Sequence, residues 1–295
     1  MFSYLAFLQA EFPLIVYFVT LMFGTIIGSF LNVVVYRLPI MLERDWSDQA
    51  NEILGNESEH EPDSGRQAFN LILPNSRCPN CQHGIRPWEN IPLFSYLFLK
   101  GRCSNCKQSI SARYPIVEIS TGLLTVMVIY TFGVTPASLF LCVLTWSLIA
   151  LALIDFDTQL LPDDITLPLL WLGLGVNYFS LVADFRDAFI GACMGYLVFW
   201  MVFQVFKLIT GKEGMGYGDF KLLAMLGAWL GWQYLPLIII LSSFSGAIIG
   251  GCLIALGRDK SHPIPFGPYL AIAGWITLIW GEEILKSYLQ FTNIG

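Results

Sequence analysis

The sequence predicts an all-α polytopic membrane protein with about eight transmembrane helices and a zinc-ribbon-like insertion after the first helix. Of its 295 residues, 55% are hydrophobic and only 13% are charged, and the mean hydropathy is +0.62. In a typical soluble domain, about a quarter of all residues are charged. Long apolar runs fill most of the chain outside residues 37–113. This composition excludes an ordinary soluble domain. A net charge of −6 usually argues against nucleic acid as a partner, but it carries little weight here because the acidic and basic residues cluster in different segments. We expect no nucleic-acid partner.

The apolar runs approach the length of about 20 residues that a spanning helix needs. The first run, Pro13 to Tyr36, lacks a basic n-region and a small-residue cleavage site, so we expect a retained anchor and not a signal peptide. The other runs cover residues 115–132, 137–154, 165–182, 188–208, 220–235, 236–256 and 266–285. We therefore expect an N-terminal helix (1–36), a polar domain (37–113) and a seven-helix membrane domain (114–295).

Lysine and arginine are distributed unequally between the two faces that eight spans would create. One face would carry 14 of the 16 basic residues, nine of them within residues 37–113, and the other only Arg186 and Lys286. Cytoplasmic loops are enriched in basic residues. We therefore expect the polar domain to be cytoplasmic and both termini to lie on the opposite side.

The polar domain contains two C-x2-C pairs, CPNC (78–81) and CSNC (103–106). Four thiolates on two such turns suit a tetrahedral Zn²⁺ ion, and a closed four-ligand shell is typical of a structural site. A disulfide is disfavoured because the cytoplasm is reducing, although a redox pair or unligated thiols remain alternatives. The candidate metal ligands are Cys78, Cys81, Cys103 and Cys106.

An acidic segment, residues 43–66, precedes the first cysteine pair. It carries eight acidic side chains and several turn-forming residues but few aromatic ones, a composition that rarely supports a packed core. We expect a flexible or partly helical, solvated linker.

Two aspartates lie at the membrane boundary on the same predicted face. Asp155 ends the third span and Asp219 opens the sixth. Carboxylates in or beside membrane segments are costly to desolvate and are functional candidates by default. Two neighbouring carboxyl groups share a proton and so supply a base and an acid together. The pair predicts aspartyl proteolysis.

The segment GYGD (216–219) surrounds the second aspartate with glycines. Gly216 and Gly218 permit backbone conformations closed to other residues and remove side-chain bulk, so a substrate strand can approach beside Asp219. The alternative is that Asp219 only caps a helix. Asp157 is the alternative to Asp155, since it lies two positions further along.

Six segments together resemble the bifunctional type IV prepilin peptidases, which belong with the GxGD membrane aspartyl proteases. They are GSFLNVVVYRLP (28–39), the two cysteine pairs, WENIPLFSYLFLKGRC (88–103), IDFDTQLLPDDITLPLLWLGL (154–174) and GYGDFKLLAMLGAWLGW (216–232). The resemblance continues to IPFGPYLAIAGW (264–275). It therefore extends over most of the chain.

This resemblance implies specific roles. Asp155 and Asp219 would be catalytic, the four cysteines would bind zinc, and the enzyme would be a multi-pass protein of the bacterial inner membrane, in contact with lipid. Members of the family cleave the leader of prepilins and pseudopilins at the cytoplasmic face, then methylate the new N-terminus with S-adenosylmethionine. Gly101 in LKGRC would be a candidate methyltransferase residue, or alternatively only a turn residue.

Two other functions fit parts of the pattern. One is a GxGD protease without methyl transfer, and the other is a non-enzymatic transporter or scaffold. A transporter is disfavoured because the acidic residues border the membrane and no internal repeat of broken helices is visible. No strand–glycine–helix pattern typical of a dinucleotide-binding fold occurs, so methyl transfer would need another type of donor site.

Overall fold

In the computed structural model, residues 2–55, 69–90, 92–257 and 264–291 are described. These residues form ten α-helices, two short 3₁₀ turns and no β-strand. The helices are α1 (Phe2–Glu11), α2 (Pro13–Ile53), α3 (Phe94–Phe98), α4 (Arg113–Phe132), α5 (Pro136–Thr158), α6 (Asp163–Tyr178), α7 (Phe185–Thr210), α8 (Tyr217–Leu230), α9 (Leu235–Ala255) and α10 (Gly267–Phe291). The all-α prediction is confirmed for the described part of the chain.

The chain divides within α4 into two compact units. The insertion unit comprises Glu11–Met127, and the bundle unit comprises Met1–Ala10 together with Val128–Gly295. The insertion unit contains the four cysteines, whereas both candidate catalytic aspartates belong to the bundle unit.

Five helices are long and apolar enough to cross a membrane: α2, α4, α5, α7 and the segment Trp232–Ala255 that contains α9. Helices α6 and α8 have only 16 and 14 residues. At 1.5 Å per residue they are about 24 and 21 Å long, shorter than a hydrocarbon core of about 30 Å. The structure therefore identifies a membrane protein with five candidate spans among its described residues.

Helix α2 is longer than the first predicted span. That span was expected to end at Tyr36, but the helix continues through Pro39 to Ile53 and includes the first part of the acidic segment. The helix ends just before Gly55, whose φ of +62° lies in the left-handed region. Glycine adopts this conformation at little cost in free energy. The rest of the predicted linker, residues 56–66, lies outside the described residues.

Small residues bring α2 and α4 together inside the insertion unit. A methyl group on Gly28 would lie 2.7 Å from Cα of Glu118, and one on Gly24 would lie 2.8 Å from Cα of Gly122. Such a G-x-x-x-G pair lets two helix backbones approach closely. This contact holds the N-terminal, apolar half of α2 against α4.

Helix α8 is the most enclosed element of the bundle unit. Its residues from Phe220 to Leu230 are buried except for Lys221. A methyl group on Gly191 of α7 would lie 2.3 Å from the carbonyl oxygen of Gly227 in α8. On the α6 side, the indole N–H of Trp229 donates to the carbonyl of Leu169 at 2.9 Å. A helix surrounded by protein does not need the length of a lipid-exposed span.

Candidate active site and metal centre

Asp155 lies in the last turn of α5 and is only 5% exposed. Its Oδ2 accepts a hydrogen bond of 2.9 Å from the backbone N–H of Gly267, the first residue of α10. The N-terminus of a helix carries a partial positive charge, which favours a carboxylate beside it. This contact therefore stabilises the ionised form of Asp155.

Asp219 lies in the first turn of α8 and is 7% exposed. The N-cap of this helix is Gly216, and no side chain caps it. Asp219 is therefore not the N-cap residue, but its carboxyl group interacts with the backbone N–H of Gly216 from the first turn of the helix. The carboxyl group thus contributes to the helix end, and it is also buried beside Asp155.

One leucine connects the surroundings of the two aspartates. Leu161 packs against Gly218, where a methyl group would lie 2.8 Å from its Cβ, and against Gly267, where a methyl group would lie 3.1 Å from its Cδ2. Gly267 in turn touches Asp155. The carboxyl groups of Asp155 and Asp219 are close enough to interact electrostatically. The structure thus brings both predicted aspartates into one buried site.

The two glycines of GYGD have a steric role and no unusual backbone conformation. Gly216 has φ −80° and ψ 148°, values that any residue adopts, and Gly218 is not among the residues with positive φ. The expected special conformations are therefore wrong. The close contact with Leu161 is the reason why a side chain at Gly218 would disturb the site.

The other acidic residues of this region are arranged differently. Asp157 is exposed, in contrast to Asp155. Asp163 at the start of α6 pairs with the ammonium of Lys221 in α8, at 2.6 Å. This ion pair ties the two helix beginnings together beside Asp219.

The four predicted metal ligands form one cluster in the insertion unit. All four sulfur atoms lie within 4.8 Å of one another. The Cys78–Cys106 and Cys81–Cys103 sulfur pairs are 3.8 and 3.9 Å apart. Tetrahedral thiolates at about 2.3 Å from zinc are separated by about 3.8 Å, whereas a disulfide needs about 2.05 Å. The cluster is a geometric match to a metal site.

The two cysteine turns are copies of one motif, RCPNCQHGI (77–85) and RCSNCKQSI (102–110). Cys78 N–H donates to the carbonyl of His83, and Cys103 N–H donates to the carbonyl of Gln108. Each turn closes with an isolated antiparallel bridge, Arg77 with Gly84 and Arg102 with Ser109. The C-x2-C spacing alone did not reveal this repeat, although the basic residue before each pair and the isoleucine after it are readable in the sequence.

Backbone donors prepare the second cysteine turn to bind a cation. The N–H of Gln108 lowers the pKa of the Cys106 thiol to about 6, and the N–H of Cys106 lowers the pKa of Cys103. At Cys78, backbone N–H groups favour the thiolate, but burial and the neighbouring sulfur atoms outweigh them and raise the pKa. Thiolates are the metal-binding form of cysteine.

Gly101 occupies a left-handed turn between α3 and the second cysteine turn. Its φ is +66°, its N–H donates to the carbonyl oxygen of Tyr96 at 2.8 Å, and a methyl group on it would lie 2.9 Å from the Tyr96 hydroxyl. These contacts explain the glycine as a turn residue. Nearby, the buried Glu118 accepts a bond from the N–H of Leu93, just before α3, a contact that the sequence did not predict.

Comparison with known proteins decides the family. Residues 22–132 match the bacterial peptidase A24 N-terminal domain, and residues 142–251 match the type IV leader peptidase family. The chain belongs to the type IV leader peptidase family. The two matched domains of this leader peptidase thus correspond to the two structural units: the first lies almost entirely in the insertion unit, and the second lies in the bundle unit.

Curated relatives of this leader peptidase are similar over nearly their whole length. The prepilin leader peptidase/N-methyltransferase of Pseudomonas aeruginosa is 58% identical, over 96% of this chain and 97% of the relative. Those of Stutzerimonas stutzeri and Dichelobacter nodosus are 57% and 50% identical, over 97% and 95% of this chain and 98% and 96% of the relatives. No solved structure matches this leader peptidase.

Proposed function

We propose that this protein removes the leader peptides of type IV prepilins and pseudopilins and then methylates the new N-terminal amine. The observation that carries the peptidase half is the buried pair of Asp155 and Asp219, assembled from the ends of α5 and α8 in a chain of the leader peptidase family. The relatives whose names state both activities cover the same length. Their similarity supports the bifunctional interpretation over a protease without methyl transfer and over a transporter.

The surroundings of the two aspartates assign different tasks to them. The Gly267 N–H and the N-terminus of α10 stabilise a charge on Asp155, so Asp155 is the base that takes a proton from the attacking water. Asp219 carries the shared proton and donates it toward the oxygen of the scissile carbonyl. The water oxygen bonds to the carbonyl carbon, the C–N bond breaks, and a proton passes to the leaving amine.

We place the enzyme in the bacterial inner membrane, with about eight membrane-embedded helices and the peptidase site at the cytoplasmic face. The five candidate spans would be joined by α6, α8 and α10. Enclosure of α8 by protein supports this placement, because a short buried helix contacts little lipid. The distribution of lysine and arginine supports a cytoplasmic insertion and periplasmic termini.

We infer that Zn²⁺ occupies the cysteine cluster. The sulfur separations and the lowered pKa of Cys106 suit four thiolate ligands. With all four positions taken by protein, the ion would organise residues 77–110 and perform no chemistry.

We assign methyl transfer to the insertion unit, since the peptidase pair belongs to the bundle unit. In this reaction the amine nitrogen bonds to the methyl carbon of S-adenosylmethionine, the carbon–sulfur bond breaks, and the amine loses a proton. Gly101 remains a candidate for this activity through its place in the LKGRC motif, beside Tyr96.

The test uses membranes that contain the wild type, Asp155→Asn, Asp219→Asn or Asp157→Asn, incubated with a prepilin and S-adenosylmethionine. Mass spectrometry reads the product. We expect no leader removal by the 155 and 219 variants and normal removal by the exposed 157 variant. Wild-type product should be heavier by one methyl group. Cleavage by both the 155 and 219 variants would refute the peptidase assignment, and an unmethylated product would leave only the protease.

A further inference from the structure

The insertion unit contains a half-open cavity of about 240 Å³. It lies where α2 meets the segment around positions 71–76, which leads into the first cysteine turn. Its polar lining residues are Arg37, Asn75 and Ser76, and its apolar lining includes Val33, Leu71 and Ile85. An apolar wall with a few polar groups also occurs at small-molecule sites.

Arg37 is the unusual member of this lining. It is 7% exposed, and its guanidinium donates to the carbonyls of Asn70 at 2.8 Å and Pro74 at 2.6 Å. No carboxylate among the described residues pairs with it. A guanidinium has five N–H donors, and a buried charge is costly unless it is compensated. The Arg37 guanidinium also lies over the ring of Phe69, 5.7 Å from the centroid, but neither this ring nor the two carbonyls carries a negative charge, so the guanidinium has no counter-ion in the described part of the chain.

The chemistry of the cavity defines the ligand class. A guanidinium prefers a planar anion that accepts two parallel hydrogen bonds, which a carboxylate or a phosphate provides. The neighbouring Val33, Leu71 and Ile85 favour a ligand whose anionic end continues into an apolar stem. The volume lies below the range of about 300–1,000 Å³ for complete small-molecule pockets. The cavity therefore suits one end of a larger ligand.

We propose that this cavity binds the amino-acid end of S-adenosylmethionine, with Arg37 holding the α-carboxylate and Asn75 and Ser76 completing the polar wall. This inference rests on the proposed methyl transfer, which needs a donor site in the insertion unit. The amino-acid end of the donor carries an α-carboxylate and an α-ammonium group on a short hydrocarbon stem. Arg37 suits the carboxylate, the side-chain oxygens of Asn75 and Ser76 suit the ammonium, and the apolar lining suits the stem. The phosphate of an acidic lipid is the other source of such an anion.

The experiment measures binding directly on the full-length protein, purified into nanodiscs of zwitterionic phospholipid. Equilibrium binding of radiolabelled S-adenosylmethionine is compared for the wild type, Arg37→Gln and Val33→Phe. We expect both variants to bind at least tenfold more weakly, because the first removes the cation and the second fills the cavity while Arg37 remains. Leader cleavage should stay within twofold of wild type.

Arg44→Gln is the matched control. Arg44 lies on the same helix and stacks on Phe69 at 4.3 Å, close to the same segment, but it does not line the cavity. We expect this variant to bind the methyl donor normally. If Arg37→Gln also lost cleavage through misfolding, Val33→Phe would decide between a binding site and a structural arginine.

Each outcome separates this inference from the proposed function. Normal donor binding by Arg37→Gln or by Val33→Phe would overturn the inference, even if the wild type cleaves and methylates. A second result would also overturn the inference. If methylation by the wild type requires acidic lipid, and Arg37→Gln loses this requirement while its donor binding is unchanged, the cavity binds a lipid phosphate instead. A wild type that binds the donor without methylating would instead contradict the proposed function.

Discussion

Gly267→Ala tests whether the α10 N-terminus positions Asp155 for catalysis. A methyl group at this position would lie 2.7 Å from Oδ2 and 3.0 Å from Cγ of Asp155, and 3.1 Å from Cδ2 of Leu161. Gly267 has no positive φ, so alanine meets no backbone strain. The substitution therefore acts through the side-chain clash with the carboxylate.

The size of the effect follows from the overlap. Carbon and oxygen atoms in contact are about 3.4 Å apart, so the carboxylate must retreat by about 0.7 Å and lengthen its bond to the Gly267 N–H. A misplacement of about 1 Å at a reacting group costs about 10²-fold in rate. We expect prepilin cleavage to fall about 30- to 100-fold, with a loss of about 1–3 kcal/mol in stability from overpacking.

The assay follows leader removal from a prepilin under single-turnover conditions, beside methylation of an already cleaved substrate. Gly175→Ala in α6 is the control, because a methyl group there meets nothing within 4 Å. Methylation by Gly267→Ala should remain normal. A Gly267→Ala enzyme that cleaves within threefold of wild type, while Asp155→Asn is inactive, would refute the positioning role.

Three further perturbations test other parts of the structure. Cys106→Ser should abolish stoichiometric zinc, measured by elemental mass spectrometry, and should open residues 77–110 to proteolysis, because a shell of four cysteines loses one ligand. Cys193 is exposed and outside the cluster, so Cys193→Ser should keep its zinc. Equal zinc in both variants would exclude the cluster as the site. Gly227→Ala, where the new methyl group would lie 2.2 Å from the Gly191 carbonyl oxygen, should lower stability by about 3 kcal/mol in thermal unfolding, whereas an unchanged midpoint would contradict the close packing of α7 on α8. Lys221→Met removes the ion pair with the half-exposed Asp163. Because such pairs contribute about 1 kcal/mol or less to stability, the rate of leader cleavage should stay within threefold of wild type. Complete loss of cleavage would instead give Lys221 a catalytic role.

Local patterns were enough to predict the cysteine cluster and the candidate catalytic pair. A C-x2-C turn presents two sulfur atoms by its own geometry, so Cys78, Cys81, Cys103 and Cys106 were recognisable before the fold was known. The aspartates were recognisable for a different reason. Successive helices reverse direction, so the end of α5 and the beginning of α8 had to lie on one face.

Hydropathy could not distinguish a helix surrounded by protein from one surrounded by lipid. Residues 220–235 are apolar in either case, but only packing against α6, α7 and α10 makes α8 a short enclosed helix. In α2, the polar stretch that begins at Arg37 predicted the end of the span, yet the helix continues to Ile53. An apolar side chain avoids water in either case, and only the helices packed around it decide whether it contacts protein or lipid.

The sequence by itself determined the class of protein, the candidate reacting groups and the family, because those depend on composition, spacing and local motifs. Only the tertiary structure decided which distant groups contact one another. Gly267 meets Asp155 across 112 positions of the chain, and Arg37 meets Pro74 across 37. Contacts between distant positions depend on how helices pack, and no local pattern encodes them.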